Sequence, residues 1–183
     1  LHAVSAMAAE MGKPAVREVA TVIGTSAVRY PQLEGLADAA VQERINNAIV
    51  ERAKVAQRMV TLATLKPGGT GLQVSYGAYL NGDVFSAVVS AVGIMENGRA
   101  GQEYTAFNYR LSSGESMGMD QLFSDTGGAV NYMEEKLTAT YLDEIGSYVE
   151  NAAVAPLPRA SFALDADGIT FYYPREQFSL VSG

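Results

Sequence analysis

Two alternating runs joined by an Asn-Gly pair constrain this chain more than any other feature. Between residues 72 and 80, Leu72, Val74, Tyr76, Ala78 and Leu80 alternate with Gln73, Ser75, Gly77 and Tyr79. A period of two places the first five on one face of a strand and leaves small and polar residues on the other. Asn81-Gly82 tolerates the positive φ angles that a two-residue hairpin turn requires. Residues 83–95 are β-branched and nearly all apolar, as expected for a central strand. A second turn pair, Asn97-Gly98, precedes a third run over 104–111. Thr105, Phe107, Tyr109 and Leu111 share one face there, and Tyr104, Ala106, Asn108 and Arg110 the other. Short turns between such runs predict a three-strand antiparallel meander.

Such a sheet must bury its apolar face, and two segments have the spacing to cover it. Val41, Ile45, Ala48, Ile49, Ala56, Met59 and Leu62/Ala63 recur at helical intervals over 39–65, with Asp38 placed as N-cap and Lys66-Pro67-Gly68-Gly69 as terminator. Val130, Met133, Leu137, Tyr141, Ile145 and Tyr148 mark a second amphipathic helix over 126–149. Residues 16–29 read as one bent strand or two short ones. Tyr30-Pro31-Gln32-Leu33-Glu34-Gly35-Leu36 reads as a loop, because proline pushes its predecessor to extended geometry and Gly35 permits a turn. Pro156 and Pro158 break the chain, and Asp165-Ala166-Asp167-Gly168 turns between 161–164 and 169–173. The expected fold is α+β, an antiparallel sheet of meander plus hairpin packed against two amphipathic helices. The expected core includes Ile45, Ile49, Val74, Val88, Phe107, Leu122, Leu137 and Phe171. Residues 1–15, with an Ala/Met-rich start that can form a short helix, read as an N-terminal extension, and 16–183 as one domain. The Leu1 start fits a processed N-terminus.

The composition narrows the function. A net charge of −7 over 183 residues argues against nucleic acid and against an anchor on anionic lipid. No run of about 18 apolar residues is present to span a membrane. The absence of cysteine removes disulfides and thiolate metal sites.

Four motifs invite a catalytic or metal reading and fail on chemistry. Gly114-Glu115-Ser116-Met117-Gly118 has the form of a nucleophile elbow, but the single histidine, His2, precedes the serine, whereas elbow hydrolases place it last. Ser116 is therefore expected to be dispensable and to sit in an exposed turn. Asp165-x-Asp167-Gly168 lacks the spacing and the final glutamate of a calcium loop, and Asp-Gly is a preferred hairpin pair. Gly68-Gly69-Thr70-Gly71 follows a helix and precedes a strand, the reverse of a phosphate loop. Glu134-Glu135 and Asp143-Glu144 lie largely off the apolar stripe of the second helix and read as a solvated face. No cofactor or metal site is expected.

The tyrosines carry the binding reading. Tyr76, Tyr109, Tyr141 and Tyr148 fall on apolar faces. Alternation puts Tyr79, Tyr104 and Tyr172 on the opposite face, where aromatic rings form contact surfaces unless the second helix or the N-terminal extension covers them. Arg110 shares the face of Tyr104 and can bond an acidic group.

Several segments together resemble one bacterial family, the extracytoplasmic domain of unknown function shared by RsiV-type anti-sigma factors and the N-terminal part of PdaC-type peptidoglycan deacetylases. They are Tyr30 to Leu36, Arg44-Ile45-Asn46, Gly98-Arg99-Ala100-Gly101, Asn108-Tyr109-Arg110-Leu111 with Gly114 and Leu122-Phe123, and Phe162-Ala163-Leu164 with Gly168-Ile169-Thr170-Phe171-Tyr172-Tyr173 and the terminal Gly183. The segment at Gly98 departs from the family pattern in lacking a histidine. The resemblance spans about residues 16–183. It implies an envelope domain, secreted or membrane-tethered, that acts by binding lysozyme or peptidoglycan. It carries over no deacetylase chemistry and no contact residue. The alternatives are a carboxylate-based enzyme acting on peptidoglycan or another glycan, and a structural spacer.

Overall fold

The computed structural model describes residues 13–23, 26–64, 72–94, 100–145, 152–153, 162–172 and 181–182. The N-terminal helix reading, His2, the two glycine-bearing loops 66–71 and 97–99, Pro156, Pro158, Tyr173 and Gly183 lie outside them. So do the side chains of Met59, Leu62, Ala63, Tyr141, Asp143, Glu144, Ile145 and Tyr148.

Six strands form the main sheet in chain order: β1 (Ala15–Ile23), β2 (Ser26–Glu34), β3 (Gln73–Asn81), β4 (Val84–Ile94), β5 (Ala100–Arg110) and β6 (Glu115–Ser116). β3 pairs antiparallel with β4, and β4 with β5. The first helix, α1 (Ala39–Thr64), connects β2 to β3, and those two strands are parallel, bridged at Val28↔Val74. The sheet is thus mixed rather than antiparallel throughout. A helix between two strands returns the chain to the end where it began, and this is how parallel neighbours are joined.

Residues Tyr30 to Glu34 belong to β2, paired from Glu34↔Ala15 to Ser26↔Ile23, and do not form the expected loop. The extended geometry that proline imposes on its predecessor suits a strand as well as a loop. Pro31 cannot donate to a ladder, but β2 meets β3 three residues earlier, at Val28, and Pro31 faces Glu18 of β1. Only Gly35, at φ 75°, makes the turn; a Cβ there would lie 2.6 Å from the Lys13 carbonyl oxygen.

α1 covers one face of the sheet. Val41, Ile45, Ile49, Ala53 and Ala56 are buried, and Phe85, Ala87, Val89 and Ala91 of β4 rise to meet them with Val28, Leu33, Val74 and Phe107. Asp38 caps the helix, its Oδ1 accepting the N–H groups of Ala40 at 2.9 Å and Val41 at 3.0 Å. Side chains on α1 then bond backbone of the sheet. Asn46 Oδ1 accepts the Leu33 N–H at 2.7 Å while its Nδ2 donates to the Leu33 carbonyl at 2.8 Å, replacing a strand neighbour. Arg44 Nη2 donates to the Ser113 carbonyl at 2.9 Å.

Gly114 makes that last contact possible. It sits at φ 65°, and a Cβ would collide with Arg44 Nη2 and fall 2.9 Å from Val41 Cγ1. Gly114→Ala is expected to cost about 1–2 kcal/mol from the left-handed backbone alone, with a further loss as Arg44 is displaced. Urea unfolding of this variant beside Arg44→Ala separates the two contributions.

The second helix, α2 (Thr126–Ile145), does not join α1 in one layer. Its buried Val130 packs with Met119 and Phe162 in a separate, smaller core flanked by Leu122, Phe123, Met133, Leu164, Ile169 and Phe171. That core belongs to a two-stranded hairpin, β8 (Phe162–Leu164) and β9 (Ile169–Phe171). Leu122 and Phe171 are accordingly half-buried rather than central, and Leu137 is 38% exposed, against expectation. Among the described residues, the hydrophobic stripe of α2 meets this small hairpin core through Val130 and Met133, and Leu137 lies beyond it in solvent. A further two-residue pair joins β7 (Ala152–Ala153) to β10 (Val181–Ser182).

Candidate functional site

β8 lies against the sheet face opposite α1, held by a buried polar network. Ser86 and Asn108 face each other across β4 and β5 and are both buried. Ser86 Oγ donates to Asn108 Oδ1 at 2.6 Å and accepts the Leu164 N–H at 2.7 Å. Asn108 Nδ2 donates to the Phe162 carbonyl at 2.8 Å. Two polar side chains on an apolar strand face thus satisfy one edge of β8 and fix where the hairpin sits.

Beside this junction a half-open cleft of about 190 Å³ opens between the hairpin and the sheet. Gly77 and Val88 line it from the sheet, with Ala78, Tyr79 and Ser86. Ala163, Leu164, Asp165 and Tyr172 line it from the hairpin side. The alternation of β3 makes the space: a larger side chain at position 77 would fill it, since a Cβ there would meet only Val88 Cγ1, at 3.7 Å.

Tyr79 and Tyr172 line this one cleft. Tyr104 stands behind Tyr172, with ring centroids 5.1 Å apart and planes tilted by 45°. All three are half-buried. The hairpin thus leans on this face, a cover different from the two weighed from sequence. Tyr79 Oη accepts from Asn81 Nδ2 at 2.9 Å. Burial, then the Asp165 charge and Tyr104, push the Tyr172 phenol above its usual range, so it stays protonated near neutral pH.

Arg110 is placed elsewhere. It lies six residues along β5 from Tyr104, about 20 Å away at the rise of a strand. It faces Asp83 at 3.6 Å beside the β3–β4 turn. Asp83 also accepts the Ser112 hydroxyl at 2.7 Å and the Ser112 N–H at 2.5 Å, and the hydroxyl bond above all draws its carboxyl below the usual range. Arg110 and Asp83 therefore tie the turn after β5 to the turn before β4.

Asp165 is likewise occupied. Its Oδ2 accepts the Thr170 hydroxyl at 2.9 Å, and its Oδ1 the N–H groups of Asp167 at 2.9 Å and Gly168 at 3.0 Å. Those bonds, led by Thr170, hold its carboxyl low. The Asp-x-Asp-Gly segment is a hairpin turn. Ser116 is exposed but forms part of β6, paired with Tyr109, rather than a turn. Glu135 is exposed and Glu134 half-buried on α2. Among the described residues no group of three or more His, Cys, Asp or Glu is placed to hold a metal ion, and no helix is long and apolar enough to cross a membrane.

Sequence reasoning missed Ser86, Gly77 and the role of Asn108. The signals were present: Ser86, one of two serines in a largely apolar central run, and a glycine inside a strand, which marks close approach or open space.

No family model matches this chain, and no curated protein sequence matches it. Among solved structures, it is similar to the crystal structure of a DUF3298-family member from Bacteroides fragilis, with a TM-score of 0.53 and 12% identity over 88% of this chain and 83% of that one. At that identity the likeness is one of fold alone: this chain shares the overall fold of that DUF3298-family member.

Proposed function

We propose that this chain is a non-catalytic recognition domain of the bacterial cell envelope, exposed outside the cytoplasm and of the kind that RsiV-type anti-sigma factors and PdaC-type deacetylases share. Its partner meets the surface formed by Tyr79 and Tyr104 of the sheet together with Tyr172 of the hairpin. The observation that carries this reading is the cleft itself. Tyr79 and Tyr172 line one opening, and Tyr104 backs the second ring. Tyrosine offers a rigid apolar plate with a polar tip, which suits a binding surface. The carboxylate enzyme is the weaker reading. Glycoside chemistry uses two carboxyl groups about 5–10 Å apart, and among the described lining residues Asp165 is the single carboxylate, already bonded within its own turn.

The net charge of −7 favours a basic protein such as lysozyme over an anionic wall polymer, by long-range steering. Binding to lysozyme and to purified peptidoglycan, measured at low and high salt, tests the proposal. Lysozyme should bind more tightly and lose affinity as salt rises. The Tyr104→Ala/Tyr172→Ala double variant, checked for native folding, should bind at least about tenfold more weakly. Unchanged binding in the folded double variant, or no binding to either partner, overturns it.

A further inference from the structure

We infer that the cleft between Tyr79 and Tyr172 is a subsite for one uncharged sugar ring. The inference rests on the reading of this face as the recognition surface and names what the cleft itself takes. Three observations lead to it. At about 190 Å³ the space is below the range of drug-sized pockets and suits a single ring rather than a peptide segment. Its walls combine apolar patches, Val88, Ala163 and Leu164, with tyrosine rings, and a pyranose has the matching pair of surfaces, C–H faces and a hydroxyl edge. The charge pattern then selects among sugars. No lysine or arginine is among the described lining residues, and the ionised Asp165 stands at the wall with its carboxyl held low. A carboxylate or phosphate on the ligand would meet that like charge, with no cation among the described lining residues to offset it. Arg110, which could have supplied one, is held about six strand residues away beside Asp83.

The lining also assigns roles. Tyr172 presents the plate, and its protonated hydroxyl can donate to a ring or glycosidic oxygen. Tyr79 Oη, already accepting from Asn81, donates from the other side. Tyr104 touches the back of Tyr172 and is a positioning residue. Gly77 contributes only its lack of a side chain.

The test is aromatic NMR titration of the folded chain with three probes: N-acetylglucosamine oligomers, cello-oligosaccharides and oligogalacturonate. Either neutral series should shift the Tyr79 and Tyr172 ring signals, with a dissociation constant on the order of 1 mM for a single ring. Oligogalacturonate should bind at least about tenfold more weakly. Gly77→Leu, which fills the cleft from a backbone with room for a Cβ, should abolish the shifts. Tyr172→Phe should retain part of the affinity, and Tyr104→Ala should weaken binding while altering the Tyr172 signal before any sugar is added. Should Gly77→Leu fail to fold, Tyr172→Ala serves in its place. No shift with either neutral series, or preference for the anionic probe, overturns the inference. The same Gly77→Leu protein is then tested with lysozyme and peptidoglycan. Retained binding there, lost in the Tyr104→Ala/Tyr172→Ala pair, leaves the recognition reading intact while the sugar subsite falls.

Discussion

Phe85→Ala is expected to lower the unfolding free energy by about 3–5 kcal/mol, among the largest effects of any single truncation in this chain. The ring is fully buried in β4, between Leu80 of β3 and Tyr109 of β5 in the register of the sheet. It belongs to the core that α1 covers. The neighbours cannot close the space it leaves, because two are held by strand pairing and the helix above is fastened to the sheet through Asn46 and Arg44. A cavity therefore adds to the lost transfer free energy. Phe171, half-buried in the smaller hairpin core, provides the contrast and should cost distinctly less when truncated. Urea unfolding with an unchanged denaturant slope is the measurement. A loss under about 1 kcal/mol for Phe85→Ala would show that the core is not closed around it.

Asn108→Ala should cost about 2–4 kcal/mol, because it strands buried partners on two sides. The Phe162 carbonyl loses its donor, and the Ser86 hydroxyl loses its acceptor. The damage should be local in a way that Phe85→Ala is not. With the network broken, β8 is held to the sheet chiefly by the Leu164 N–H to Ser86 bond, so amide exchange at Leu164 should accelerate more than at Val88 or Val89 in the strand beneath. Tyr172 rides on the same hairpin, and its contact with Tyr104 should loosen in step. Ser86→Ala adds the decisive comparison. In the Asn108→Ala background it should cost at least about 0.5 kcal/mol less than on its own, because the two side chains act as one network. Strict additivity would sink the claim that they do.

These two residues divide the chain along the line between what could be read and what could not. Alternation in 72–80 and 104–111 put Val74 and Phe107 on the buried face, and the structure buries both. Helical spacing placed Val41, Ile45 and Ile49 under α1, and Asp38 caps it as its side-chain chemistry requires. Such signals are local: a period of two or 3.6 and a cap three residues away need no knowledge of the rest of the fold. The segment from Tyr30 to Leu36 failed for a related reason. Pro31 carries the same backbone preference in a loop and in a strand, and only the presence of β1 alongside decides between them. Leu137 failed because a stripe on a helix states that something is covered, not how much cover will be available.

The segments that carry the family resemblance turn out to be largely architectural. Asn46 bonds the Leu33 backbone, Arg44 closes over Gly114, and Asn108 anchors β8. Only the last of those segments, from Phe162 onward, also reaches the candidate site, through Ala163, Leu164 and Tyr172. Tyr79 and Tyr104 were assignable to the face opposite the core from strand parity alone. Their division of labour was not, because it depends on a hairpin that begins at Phe162, remote from both in the chain. By itself the sequence determined the strands of the meander, the first helix, its cap and the absence of cysteine chemistry, since these follow from short-range periodicity and from which side chains exist. Tertiary structure decided the parallel join of β2 to β3, the separate small core under α2, the capture of Arg110 by Asp83 and the cleft between Tyr79 and Tyr172. Each of those depends on contacts between residues remote in the chain, where pairing and packing choose among local options that cost nearly the same.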